Sequence, residues 1–324
     1  MSMETMLATH YNIQASEKVV LAGRDGYKQD EYVYFTISSD NREIIHMEQA
    51  ALAYYLLENN YRHTAIPVAN TNGDWFTVFQ NNTYMVVMVE HLNNITRESN
   101  GRSLAAFHTI GTLYSFEPHQ ISCYGIWKKL WIDKLEAYEK NVPLAAKESP
   151  NDYFRMVMDT LPYIIGISEN AIQYLQESER ENRFDTVDQG TISFQRYTNN
   201  LQKSVIWLDD FVFDHPVRDL AEYTRGMLLS DAPSEEIVQF LHDYQSERPL
   251  SIFSWRLLYA RLLYPVHFFD HFDSVMSGRT LEDPFTTYSS LITMQEEYEK
   301  KMRDLYQWVG LDSTSLQIPV LHWL

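Results

Sequence analysis

The spacing of apolar residues changes near residues 91–101, and this change limits the possible folds more than any other feature. Before it, runs rich in β-branched and aromatic residues predict strands at KVVLAG, YVYFTIS, DWFTVF and TYMVVMVE. An amphipathic helix is predicted at 41–58, and RDGYKQDE is predicted as a turn. The first part of the chain is therefore predicted to have the order β-β-α-β-β.

After this change, apolar residues recur at three- and four-residue spacing, which is typical of helices. The predicted helices are 101–114, 124–140, 151–178, 216–229, 234–246, 251–273 and 286–308, with short strands around TIS and VIWL. The linker is predicted near 91–101. The fold class is therefore α+β, with a small β-rich N-lobe at 1–92 that contains one helix and a larger helical C-lobe at 93–324.

Charge and cysteine content exclude several classes of protein. The chain has 44 acidic and 26 basic residues, a formal net charge of −18, which is the wrong sign for general nucleic-acid binding. A single cysteine, Cys123, excludes an internal disulfide and any multi-cysteine metal site. We find neither a signal-peptide pattern nor an apolar run of about 18 residues, so no membrane insertion is expected.

The amino-acid sequences of four segments resemble one protein family. TNGDWFTVFQNNTYMVVMVEHL, LAAFH, YGIWKKLWIDKLEAYE and DHPVRDLAEYTR are similar to segments of the CotS-type spore-coat kinases, a branch close to the aminoglycoside and choline phosphotransferases. The likeness is greatest to the YutH type of spore-coat-associated protein, and it covers nearly the whole chain. It implies a bilobal protein-kinase-like fold, with a five-strand-type sheet and one helix in the N-lobe.

The resemblance places Phe35 where the family has the lysine that clamps nucleotide phosphates. Phenylalanine cannot bind a phosphate. Arg24 or Arg42 could approach the site, but a planar guanidinium is no simple substitute for an ammonium group. The resemblance therefore implies that the lysine's role is lost.

Other positions of the implied nucleotide cleft fall in the first ninety residues. Glu48 matches the glutamate that pairs with the family's lysine, and the alternative is a solvent-facing helix residue. Glu90, at the end of the last strand, is assigned to the same cofactor cleft. Gly23 and Gly26 could let backbone amides approach phosphates, although an ordinary hairpin explains them better.

The catalytic loop of relatives reads His-Gly-Asp, with an Asn five residues after the Asp. In an ungapped match Asp188 replaces the His, Gly190 replaces the catalytic Asp, and Gln195 replaces the Asn. Glycine cannot accept a proton from a substrate hydroxyl, so general-base assistance would be lost. A shifted register would instead put Asp188 in the catalytic place.

The family's metal-binding Asp follows an apolar strand, and VIWLDDF supplies Asp209 and Asp210 as its candidates. Counting back from DHPVRDLA without a gap puts the position at Trp207 instead. Carboxylates can anchor Mg²⁺ together with nucleotide oxygens, but two adjacent carboxylates on a loop can equally be solvated.

A third group of positions matches the family in structural roles: His108, Asp214, Arg218 and Asp219. The Asp of DLA, here Asp219, braces the catalytic-loop backbone in relatives. The alternative is an acid at a helix N-terminus, favoured by the helix dipole.

Two histidines stand four residues apart in HFFDH, a spacing that can grip zinc. No glutamate stands between His267 and His271 as the metalloprotease motif requires. An aromatic helix packed on the core is the favoured interpretation.

Positions that shape the fold are thus kept while those with chemical roles do not match. The resemblance implies a catalytically impaired pseudokinase, a structural or interaction component of the bacterial endospore coat whose partners are other coat proteins. It would be made in the mother-cell cytoplasm and then placed in the coat, without a cofactor. The alternatives are an active phosphotransferase using ATP and Mg²⁺, and an inactive nucleotide-binding switch.

Overall fold

The computed structural model describes residues 2–90, 98–180, 185–230, 232–279 and 282–320. The strands are β1 (Glu17–Leu21), β2 (Arg24–Gln29), β3 (Tyr32–Ser38), β4 (Ile66–Pro67), β5 (Phe76–Phe79), β6 (Asn82–Glu90), β7 (Thr191–Phe194) and β8 (Phe211–Asp214). The helices are α1 (Met3–Tyr11), α2 (Glu43–Glu58), α3 (Asn100–Thr112), α4 (Trp127–Glu148), α5 (Asp152–Arg180), α6 (Val217–Leu229), α7 (Ser234–Glu247), α8 (Ile252–Leu263), α9 (Val266–Met276) and α10 (Pro284–Trp308). Within these ranges no helix has the length and apolarity to span a bilayer.

The N-terminal sheet contains more than the predicted strands. In the described residues its order is β1-β2-β3-β6-β4, and β5 also pairs with β6. The segment predicted as a turn, RDGYKQDE, mostly forms β2. The error arose because the reversal lies earlier, at Ala22 and Gly23, whose positive φ angles of 50° and 76° allow a two-residue hairpin loop.

Helix α1 was not predicted, because METMLATHY is short and weakly periodic. It buries Met6, Leu7 and Tyr11 against Tyr27 and Phe79 on the sheet. Its N-terminus is capped by Ser2, whose hydroxyl accepts a hydrogen bond from the backbone N–H of Thr5.

The helical segments agree with the predicted ones to within a few residues, except for α4, which continues to Glu148 instead of ending at 140, and for the segment 251–273. The predicted helix 251–273 is two helices, because Pro265 cannot continue α8 and the chain restarts as α9. The run VIWL is not a strand. Its Ile206 bonds instead to the backbone of His63 and Ala65, and the strand that pairs with β7 is β8.

By compactness the chain divides into two units. The first is Met1–Ser122 with Gly190–Asp214, and the second is Cys123–Gln189 with His215–Leu324. In the first unit β7 packs closely on α3, where Gly111 leaves no room for a side chain: an added Cβ would lie 2.4 Å from Thr191 Oγ1. The described residues confirm the α+β class, β-rich at the N-terminus and helical after it. The boundary at residues 92 and 93 stays a prediction, and linker residues 91–97 lie outside the described residues.

Candidate functional site

The loop between β7 and β8 is held in place by two glutamine side chains. Gln195 donates from its backbone N–H to Asp210 O (2.7 Å) and from Nε2 to Asp209 O (2.9 Å). Gln49 of α2, which is fully buried, donates from Nε2 to Phe211 O (2.9 Å) and Asp209 O (3.2 Å). Gln49 could not be predicted from the sequence, since an amide among the apolar residues of a helix has no characteristic spacing. Together these bonds fix the backbone that carries the candidate metal carboxylates.

The carboxylate of Asp209 is paired with Arg24. The Arg24 Nη1 atom lies 2.9 Å from Asp209 Oδ2 and 3.0 Å from Oδ1. Its guanidinium carbon also lies 4.2 Å from the ring centroid of Trp207. Arg24 is the first residue after the two-residue turn of the β1–β2 hairpin. This turn places the Arg24 guanidinium on the Asp209 carboxylate, which a bound divalent ion would also need as a ligand.

Phe35, at the lysine position, is buried against Trp207. The Phe35 side chain is 1% exposed, and the two ring centroids are 4.9 Å apart in an edge-to-face arrangement. Gly26 faces Phe35 across the strand pair, and an added Cβ there would lie 2.5 Å from the phenyl ring. Gly26 therefore makes room for the ring, and Gly23 belongs to an ordinary hairpin turn.

Asp210 is the second candidate metal carboxylate. Burial, followed by the negative charge of Asp209, raises the pKa of Asp210 above its usual range. Asn200 Nδ2 donates to Asp210 Oδ2 at 3.4 Å. Within the described ranges no group of three or more His, Cys, Asp or Glu side chains is arranged to hold a metal ion. Any metal here would depend on Asp209 and Asp210 and on oxygens from a ligand.

Asp188 lies in the second unit, in a buried polar cluster. Its Oδ1 accepts hydrogen bonds from Ser254 (2.6 Å) and Ser251 (2.7 Å) and lies 3.2 Å from His215 Nε2, and its Oδ2 accepts from the backbone N–H of Asp185 (2.6 Å). Burial alone would raise the pKa of Asp188, but these hydrogen bonds outweigh burial and lower it. The carboxylate is thus already used as a structural acceptor.

The remaining two catalytic-loop candidates lie on either side of β7. Gly190 precedes the strand, and an added Cβ there would lie 2.5 Å from the ring of Phe213, so packing requires a glycine. Gln195 follows the strand and bonds to the Asp209–Asp210 backbone. Strand β7 therefore lies between Gly190 and Gln195 in the chain. Which residues stand for the family's catalytic ones stays a prediction.

Glu48 holds a loop that follows α3. Its two oxygens accept hydrogen bonds from the backbone N–H groups of His119 (3.0 Å), Gln120 (2.8 Å) and Ile121 (3.1 Å). Neither the predicted pairing of Glu48 with a lysine nor the alternative of a solvent-facing residue includes this contact. Glu48 is the carboxylate that ties α2 to this loop.

Glu90 ends β6 and borders a cavity of about 260 Å³. The cavity is lined by Val19, Leu21, Lys28, Val33, Glu90 and Ser204, among others. Its walls are mainly apolar and its edge carries a cation, a carboxylate and a hydroxyl. This mainly apolar lining suits an apolar group better than a chain of phosphates.

The positions assigned structural roles are mostly buried. His108, Asp214 and Asp219 are fully buried, and Arg218 is half-buried. The His108 carbonyl accepts from the Thr191 hydroxyl at 2.8 Å, which joins α3 to β7, and Asp214 pairs with Thr191 across the strands. The bracing role of Asp219 stays a prediction.

Comparisons with known proteins bear on the family and the fold. The family model "Spore coat putative kinase YutH" matches residues 4–308. The endospore coat-associated protein YutH of Bacillus subtilis is 32% identical over 283 residues, which is 84% of this chain and 83% of the relative.

Solved structures show the same fold at low identity. An aminoglycoside phosphotransferase from Alicyclobacillus acidocaldarius has a TM-score of 0.62 and 11% identity over 91% of this chain and 93% of the other. A microcompartment-associated aminopropanol kinase has a TM-score of 0.59 and 14% identity over 95% and 98%. The predicted kinase-like fold is confirmed.

Proposed function

The chain belongs to the YutH family of spore-coat proteins with a kinase-like fold, as the sequence resemblance predicted, and on this premise we propose that it is a pseudokinase with a structural or interaction role in the endospore coat. The observation that carries the proposal is the Arg24–Asp209 ion pair beside the Phe35–Trp207 contact. These four side chains stand at the positions where the family's phosphate-binding and metal-binding groups are expected.

Phosphoryl transfer depends on positioning and on neutralising charge around the transferred group. Phe35 supplies no charge and is enclosed by its neighbours. A metal ion at Asp209 would have to displace Arg24 from both carboxylate oxygens and from the face of Trp207. Each missing electrostatic group commonly costs a factor of roughly a hundred or more in rate.

The residues around Asp209 do not fit Mg²⁺-bound phosphates, because the arginine already neutralises the carboxylate. We therefore propose that the protein needs no cofactor for its role. The apolar cavity beside Glu90 supports a second candidate, an inactive switch that binds a planar base without metal-bound phosphates. The active phosphotransferase remains the less favoured alternative, since it needs Arg24 to leave Asp209.

The coat assignment is supported by the relative that is named endospore coat-associated. We propose that the protein is made in the mother-cell cytoplasm and is then placed in the coat, where its partners are other coat proteins. The strongly negative chain, with a formal charge of −18, would favour positively charged partners.

The proposal is tested in spores of the native host. The chromosomal copy is replaced by Asp209→Asn or Arg24→Met, with a deletion strain as reference, and coat extracts are compared by quantitative proteomics. A non-catalytic role predicts that both variants enter the coat and leave its composition as in wild type, while the deletion changes it. A deletion-like coat in the Asp209→Asn strain, with the variant present at wild-type amounts, would support catalysis instead.

A further inference from the structure

A second cavity lies in the helical unit, between α5, α9 and α10. Its volume is about 250 Å³, and its lining is mostly apolar, with Phe268, Ile292 and the ring of Tyr163 among the residues that form it. Apolar cavities of about 150 Å³ already accommodate benzene, so this space can take a ring with a short side arm.

The cavity shares none of its described lining residues with the cluster of Asp188, His215, Ser251 and Ser254 in the same unit. Thr160, which lines it, lies in the first third of α5, while α5 ends at Arg180, shortly before Asp188. At 1.5 Å per residue, Thr160 lies about 30 Å along the helix from Arg180. The cavity is therefore a separate site.

One carboxylate at the cavity is held in a fixed orientation. The hydroxyl of Tyr163 and the Nε2 amide of Gln295 (3.1 Å) both donate to Oε1 of Glu299. Since these two bonds fall on Oε1, Oε2 remains as an acceptor for a ligand.

The direction of the Gln295 amide is itself fixed by a histidine. His267 Nε2 lies 2.9 Å from Gln295 Oε1. Burial, together with the nearby Arg225 guanidinium, lowers the pKa of His267 to about 3, so the ring is neutral and donates from Nε2. Gln295 must then turn its nitrogen towards Glu299. The hydrogen bonds from His267 to Gln295 and from Gln295 to Glu299 thus fix the orientation of the Glu299 carboxylate beside the apolar cavity.

An apolar space with an oriented carboxylate at its edge matches a molecule with a hydrophobic body and a cationic head. Glu296 also lines the cavity, but it is paired with Lys300 (2.9 Å), so Glu299 is the carboxylate considered for the ligand. We propose that this cavity binds a small hydrophobic primary amine, with the ring or branched body against Phe268 and Ile292 and the ammonium group on Oε2 of Glu299.

The test uses the full chain, with isoleucine methyl groups labelled for NMR and 2-phenylethylamine as the probe. We expect a saturable shift of the Ile292 methyl signal, and binding about tenfold weaker or more for 2-phenylethanol, which has the same shape without the charge. Equal affinity for the amine and the alcohol would overturn the role of the charge. No saturable shift at tens of millimolar probe would overturn the site.

Matched variants separate the site from the fold. Glu299→Gln should weaken amine binding about tenfold or more, whereas Glu297→Gln, the same change at an exposed position of α10, should leave it unchanged. Ile292→Trp fills the cavity and should abolish the binding. Thermal unfolding is measured for each variant as the control that it is folded. Unchanged affinity in both Glu299→Gln and Ile292→Trp would contradict the proposal.

Discussion

Arg24 and Asp209, 185 residues apart in the sequence, form an ion pair in which Nη1 of the arginine lies 2.9 and 3.0 Å from the two carboxylate oxygens. The arginine lies at the turn of the first hairpin, and the aspartate lies on the loop that precedes β8. The pair joins two segments that a kinase-like fold would use to hold phosphates and metal. The Asp209 carboxylate is thus already paired with a cation of the protein itself.

We predict that Arg24→Ala lowers the free energy of unfolding by about 1–2 kcal/mol. The side chains of Arg24 and Asp209 are 31% and 20% exposed, so the pair is only partly screened, and Arg24 also loses its contact with the Trp207 ring. The measurement is urea unfolding followed by circular dichroism.

The same hairpin offers a control. Lys18 and Asp25 form an ion pair at 2.7 Å, with side chains that are 51% and 61% exposed. Lys18→Ala should therefore cost less, about 0.2–1 kcal/mol. Equal costs for the two alanine variants would mean that the Arg24 contacts add nothing beyond a surface pair.

We predict that millimolar ATP with Mg²⁺ leaves the unfolding temperature of the wild-type protein unchanged. A ligand at about a hundred times its dissociation constant would add roughly 2.7 kcal/mol, which shifts the midpoint by several degrees at most in a chain of this size. Differential scanning fluorimetry measures the shift. A clear rise that Asp209→Ala or Asp210→Ala abolishes would contradict the prediction and identify the metal carboxylate.

Periodicity and resemblance were enough to predict the fold class and most of the helices, although not α1. The predicted positions of helix ends and strands were less accurate. Pro265 indicates the end of α8, but the apolar spacing continues across it and therefore predicted one helix at 251–273. The strand at β8 was misplaced because VIWL is more apolar than FVFD, and the pairing that decides between them is a long-range contact.

The candidate site shows the same division between local and long-range information. The sequence named Arg24 as a possible cation and Asp209 as a possible ligand, but their pairing depends on the hairpin turn and on the loop held by Gln49 and Gln195. Glu48 was matched to a lysine partner, and its actual acceptor role became visible only with the loop at 119–121 in place.

We predict that Gly26→Ala destabilises the protein by about 1–3 kcal/mol, because the added methyl group would overlap the Phe35 ring and the Val33 side chain. Gly166→Ala is the matched control. Gly166 lies inside α5 with open space around its Cα, so alanine should stabilise the helix by up to about 1 kcal/mol. Both values come from urea unfolding.

A smaller side chain at position 35 should reduce the destabilisation that Gly26→Ala causes. The double variant Gly26→Ala with Phe35→Leu is expected to be less destabilised than the sum of the two single variants, since the collision partner is removed. Additive effects would show that the ring is not what excludes a side chain at position 26.

The cluster around Asp188 predicts how stability depends on acid. The hydrogen bonds from His215, Ser254, Asp185 N–H and Ser251 lower the folded-state pKa of Asp188, despite its burial, below the value of an unfolded chain. The stability that this group contributes is therefore complete above the unfolded pKa, near 3.8, and is lost as the pH falls through the lower folded value.

We therefore predict that Asp188→Asn destabilises the protein at neutral pH and weakens the dependence of its stability on pH below about 4. Asparagine keeps the shape, but its amide group would face the Asp185 N–H with a donor instead of an acceptor, which costs about 1–3 kcal/mol. Urea unfolding from pH 7 to pH 3 measures both effects, with Asp159→Asn at an exposed position of α5 as the control for loss of one acidic side chain. If Asp188→Asn unfolds in parallel with wild type across this range, the carboxylate is not the acceptor that holds the cluster together.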